Sequence, residues 1–129
     1  MKQITISTSD IILRAYLIAT PTAEEIWKNL PIKGTVNVWG EEIYFTIPLE
    51  IGLEAGATQD LEVGALAYWP NGPALCIFFG PTPASTGTKP RAYSPVNIVG
   101  QIIDDTKPLK SVYDGADILI KAIREQPGK

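Results

Sequence analysis

The chain has 129 residues, 45% of them hydrophobic, a size at which folding buries roughly two-thirds of the unfolded surface, so one domain over residues 1–129 is expected. A formal charge of -3, with Lys and Arg scattered along the chain, gives no drive toward phosphate backbones or anionic membranes, so nucleic acid is not an expected partner. With no histidine and one cysteine, the chain can build no Ser-His-Asp triad, Cys-His dyad, imidazole zinc site or internal disulfide, and no metal or cofactor is expected.

Lys2 to Ser7 alternates Ile4 and Ile6 with polar residues, Thr8-Ser9-Asp10 supplies a turn, and Ile11, Leu13, Ala15 and Leu17 resume the period of two, which predicts an N-terminal hairpin. No stretch of about 20 apolar residues occurs, and no signal-peptide apolar region follows Met1, so neither a membrane nor export is expected and the reading is cytoplasmic. Thr22 with Glu25 forms a capping box for one short helix, with Ala23, Ile26, Trp27 and Leu30 on its buried face and Pro31 ending it. Val36 and Val38 begin a strand whose phase shifts at Trp39-Gly40-Glu41, as a hairpin or bulge requires. Beyond it Ile43, Phe45 and Ile47 point one way and Tyr44 and Thr46 the other. Residues 57–60 read as an exposed loop. Ala65 to Trp69, the turn Pro70-Asn71-Gly72-Pro73 and Ala74 to Phe79 form a central hairpin apolar on both faces. Its Cys76, between Leu75 and Ile77, is expected to be a buried, inert thiol. Gly80 to Pro90, with Pro81 and Pro83 among Ser, Thr and Gly, predicts a long surface loop. Val96 to Ile103 reads as a strand, Leu109 to Val112 as a helical turn, and Ile118, Ile120 and Ala122 as a last strand opened by Asp114-Gly115.

Three runs carry a resemblance: Trp39 to Phe45; Gly64 to Pro83, containing Tyr68-Trp69-Pro70-Asn71-Gly72-Pro73 and Phe78-Phe79-Gly80; and Pro95-Val96-Asn97-Ile98-Val99-Gly100-Gln101-Ile102. Together they resemble an atypical, short prokaryotic cyclophilin-like family, and the order of elements agrees over nearly the whole chain. The resemblance implies a mainly-β, closed eight-stranded barrel with one short helix and a helical turn in the C-terminal half. It implies peptidyl-prolyl isomerase activity only by analogy of fold. True cyclophilins set an arginine, in a Phe-His-Arg run, beside an aromatic groove. Here the matching hairpin offers Asn37, Glu41, Glu42 and Tyr44, the Gln-Gly-Gly segment is missing, and the groove histidine has no counterpart.

The aromatic character of the groove is what remains. Trp39, Tyr44, Tyr68, Trp69, Phe78 and Phe79 are groove candidates, although adjacent strand residues point to opposite faces, so one ring of Tyr68-Trp69 and one of Phe78-Phe79 belongs to the core. Which one is open at this level. Arg91, closing the proline-rich loop, can supply a cation to the groove, and Asn97, inside an apolar strand, either bonds a neighbouring loop or lines the groove. Adjacent Glu41 and Glu42 diverge on a strand and read as solvated turn charges. Glu24-Glu25 suit a helix N-terminus, and Asp104-Asp105 a strand end. Gly87 is not followed directly by lysine, so the Gly80 to Lys89 segment is no phosphate-binding loop. The leading expectation is a non-enzymatic or weakly active binding module for a proline-containing peptide or small ligand. The alternatives are an isomerase with a non-standard site, which needs no titrating base, and a subunit whose exposed aromatics form a homo-oligomer interface.

Overall fold

The computed structural model describes residues 2–124. Strands β1 (Lys2–Thr8) and β2 (Ile11–Leu17) form the N-terminal hairpin, and both bury every second side chain, including Ile4, Ile6, Leu13, Ala15 and Leu17. Helix α1 (Pro21–Lys28) follows. Its cap is Thr20, whose hydroxyl accepts from the Ala23 N–H, and not Thr22 as the Thr22/Glu25 spacing suggests. Thr22 is instead buried and taken up by Glu54, whose carboxylate accepts from both the Thr22 amide and its hydroxyl. Ala23 and Ile26 enter the core, while Trp27 lies half-buried at its margin with Lys2 and Arg124 over its ring.

Strands β3 (Ile32–Thr35), β4 (Asn37–Val38) and β5 (Glu42–Thr46) come next, with the β4–β5 hairpin turning at Trp39 to Glu41. Gly40 has φ +61° there, and a Cβ on it would lie 2.8 Å from the Thr82 backbone, so this turn both needs glycine and packs against the proline-rich loop. The segment expected as an open loop before Leu61 contains a short strand, β6 (Thr58–Asp60). It pairs with β9 (Arg91–Ile102), which begins five residues before the Val96 start expected from sequence. Pro95 conceals that start because proline normally interrupts a ladder. Here it lies close to the point where β9 exchanges β6 for β7 (Ala65–Trp69) as its partner. Strand β8 (Ala74–Phe78), a 3-10 turn at Lys107–Ser111 and β10 (Asp117–Ile123) complete the fold.

The strands form one mainly antiparallel path, β3-β10-β1-β2-β9-β7-β8-β5-β4, with β6 on β9. Among the described residues the count is ten strands and not eight, and no ladder closes the path between its ends β3 and β4. Those two edges are nevertheless consecutive in the chain. Only Val36 separates them, buried and bonded through its N–H and C=O to Ala116 and Gly115. One face of the sheet holds the main core, built from Ile4, Ile26, Ile43, Phe45, Leu66, Tyr68, Ile77 and Leu109 among others. At about 1.5–3 kcal/mol for each large apolar side chain buried, this layer carries most of the favourable burial. A smaller apolar layer of Leu61, Ala65, Ala67, Cys76, Phe78, Ala92 and Val96 lies on the other face of β7 and β8.

Candidate functional site: an aromatic pocket over a buried carboxyl

Alternation along the β7–β8 hairpin decides where each candidate ring goes. Tyr68 and Phe79 face the main core, whereas Trp69 and Phe78 face the smaller layer. Tyr68 is fully buried; its hydroxyl donates to the Leu49 carbonyl at 2.7 Å and accepts from the Ile51 N–H at 3.0 Å, pinning the segment after β5. Tyr68→Phe leaves both backbone groups unpaired, and the expected loss is about 2 kcal/mol by urea denaturation. A loss below about 0.5 kcal/mol would mean that water replaces the phenol.

Above the smaller layer lies a cavity of about 230 Å³. Its walls are Trp39, Tyr44, Trp69 and Tyr93, and its remaining lining is Glu42, Cys76, Ala92 and Val96. The register explains the grouping. Glu42 and Tyr44 project from one face of β5, and their cross-strand partners on β8 are Phe78 and Cys76. The β4–β5 turn brings Trp39 opposite Glu42, the two exchanging backbone hydrogen bonds at 2.9 and 3.2 Å. The early start of β9 then delivers Ala92 and Tyr93. The rings meet edge to face in a chain, Trp39–Tyr93 at 6.0 Å, Tyr93–Trp69 at 6.2 Å and Trp69–Tyr44 at 6.3 Å between centroids. The Trp69 indole donates to Ser94 Oγ at 2.7 Å, which fixes the ring.

Glu42 corrects the reading of Glu41 and Glu42 as a solvated pair. Only Glu41 keeps substantial exposure, 4.0 Å from Lys110, whereas Glu42 is 5% exposed. Burial beside Phe78 pushes its carboxyl up to about 7, and a hydrogen bond with the Cys76 thiol opposes the rise only in part. Cys76 is buried as expected, and burial together with the neighbouring carboxylate raises its own pKa well above the ordinary thiol value. It is therefore protonated beside Glu42 and a poor nucleophile.

The structure thus brings Trp39, Tyr44 and Trp69 together and adds Glu42, Cys76 and Tyr93, which sequence reasoning missed as pocket residues. Phe78 lies beneath them with no exposed surface. Arg91 points elsewhere, donating to Asp60 at 2.7 Å and Gln59 at 3.2 Å. Asn97 is committed to a separate polar knot with Glu54, Thr22 and Gly52. Among the described residues no cluster of three or more His, Cys, Asp or Glu side chains offers a metal site. No helix there is long and apolar enough to cross a membrane.

An antiparallel sheet with its main apolar core on one face, a helix packed with that core and a side-chain-sized aromatic pocket over the smaller layer on the other face define a small β protein of cyclophilin type. The cyclophilin-like family profile matches residues 2–121, and the chain belongs to that family. It is also similar to a hypothetical protein of Archaeoglobus fulgidus whose solution structure is known. The two share 35% identity over 95% of each chain, with a TM-score of 0.80. None of the curated proteins matches the chain.

Proposed function

We propose that this cyclophilin-like chain is a binding module whose aromatic pocket takes a proline-containing peptide or another small ligand. We further propose that the sheet, whose edges meet across Val36, is the wall of a closed barrel of cyclophilin type. The observation that carries the binding reading is the chain of four rings, held edge to face around a cavity of about 230 Å³. Half-buried tryptophans at a pocket mouth retain apolar surface that a ligand can cover, and the rings are oriented before any ligand arrives. Binding without catalysis is favoured because Arg91, the expected cationic donor to a twisted prolyl amide, is engaged by Asp60 and does not line the pocket.

The test is a backbone-amide NMR titration with a mixed Xaa-Pro peptide, recorded so that cis/trans exchange is visible in the same sample. Shifts are expected at Trp39, Glu42, Trp69 and Tyr93 without faster exchange. Trp69→Ala is expected to weaken binding about tenfold or more while leaving a cooperative unfolding transition, because the ring is only partly buried. Accelerated exchange would replace this reading by an isomerase with a non-standard site. Shifts confined to residues outside the pocket would remove it.

A further inference from the structure

We propose that the pocket is selective for a small organic ammonium ion, held with its charge between the aromatic rings and the Glu42 carboxylate. This deepens the binding reading above and rests on it, adding the charge and chemical class of the occupant. Two observations favour a cation over an anion.

The first is charge complementarity. The ionisable side chains lining the cavity are a carboxyl, a thiol and two phenols, with no Lys or Arg among them. Among the described residues, no Lys or Arg pairs with Glu42. An anion entering the pocket would therefore meet a carboxyl and no counter-charge, whereas a cation would supply the missing partner of a buried acid. The second is the nature of the walls. Ring faces carry negative potential, so indoles and phenols around a partly desolvated cavity attract cations, tryptophan most strongly. Trp39, Tyr93, Trp69 and Tyr44 surround the cavity in a continuous edge-to-face chain that begins and ends beside Glu42.

The raised carboxyl of Glu42 agrees with this arrangement. At a pKa of about 7 it is half-ionised near neutrality and becomes a full counter-charge above that. The groups facing it are Tyr44 on its own strand, Cys76 on β8, Trp39 across the turn and Tyr93 on β9. Cys76 stays protonated through this range.

The experiment compares choline with its uncharged carbon analogue, 3,3-dimethylbutan-1-ol, by calorimetry and amide NMR on the full chain. At pH 8 choline is expected to bind at least about tenfold more tightly than the alcohol, with shifts at Glu42, Trp69 and Tyr93. That preference should fall severalfold at pH 6, where Glu42 takes up a proton, and fall at least as far in Glu42→Gln at pH 8. Equal binding of choline and the alcohol by the wild-type protein at pH 8 would overturn the proposal without need of any variant. Binding of the alcohol or of an Xaa-Pro peptide in that case would leave the binding module standing. Silence of the pocket toward all three would remove both readings.

Discussion

Asn97→Leu should lower the stability of the protein by about 3 kcal/mol, and its melting temperature by roughly 10 °C, although Asn97 does not line the aromatic pocket. The side chain is 1% exposed and uses both ends. Its Oδ1 accepts from the Glu54 N–H at 2.8 Å, and its Nδ2 donates to Thr22 Oγ1 at 3.1 Å and to the Gly52 carbonyl at 3.0 Å. Thr22 in turn gives its hydroxyl and amide to the Glu54 carboxylate. One amide side chain on β9 therefore ties the first turn of α1 to the irregular segment that follows β5. Leucine fills much of the same volume but leaves the part-buried Glu54 N–H and Gly52 carbonyl and the buried Thr22 hydroxyl without this partner, each costing about 1 kcal/mol. Guanidinium denaturation of the two proteins measures the difference directly. A loss of about 1 kcal/mol or less would mean that the knot is solvated and does not hold the segment. Pocket affinities, measured well below the melting transition, should not change.

This knot marks the limit of what the sequence discloses. Local period and turn chemistry make β1, β2, the β4–β5 phase shift and the doubly buried β7–β8 hairpin legible, because each depends on neighbours within a few residues. Thr22 and Thr20 both stand in positions to cap α1, and the Glu25 at Thr22+3 argues for the wrong one. The deciding partner, Glu54, is 32 residues away, where no local rule reaches. The short β6 is polar throughout and gains its ladder only from the beginning of β9, which Pro95 disguises. The pocket shares that fate. Trp39, Tyr44 and Trp69 announce themselves as rings in apolar surroundings, but the alternation that sends Tyr68 inward and Trp69 outward depends on a register that one residue's slip would reverse. Tyr93 is 70% exposed and sits in a stretch that reads as loop. Glu42 is hidden for a further reason: a carboxylate beside a turn is ordinarily solvated, and its burial follows only once Phe78, Cys76 and the rings from β7, β9 and the β4–β5 turn have closed over it.

The Glu42 carboxyl is also the place where the ligand-free protein should gain most from a substitution. Its pKa stands near 7 in the folded chain against an ordinary value of 4.5, so the sign is opposite to that of a salt-bridged acid. Below about pH 4.5 the group is protonated in both folded and unfolded chains and contributes nothing. As pH rises from about 4.5 to about 7 the unfolded chain releases its proton first, and stability falls; above about 7 both forms are ionised and the deficit is constant. Its size is about 3 kcal/mol, from roughly 1.4 kcal/mol for each tenfold change in the proton equilibrium. Glu42→Gln keeps the shape and an acceptor for the Cys76 thiol but cannot ionise. It is expected to match the wild type within about 1 kcal/mol at pH 4 and to be more stable by about 3 kcal/mol at pH 8, read from urea midpoints at both pH values. Groups titrating elsewhere cancel in the difference between the two proteins. A difference independent of pH would show that the carboxyl is solvated in the folded chain. The same comparison bears on the pocket's occupant: a bound ammonium ion stabilises the ionised carboxylate and should bring the wild type back toward the variant at pH 8, whereas the variant itself should gain far less from the ion.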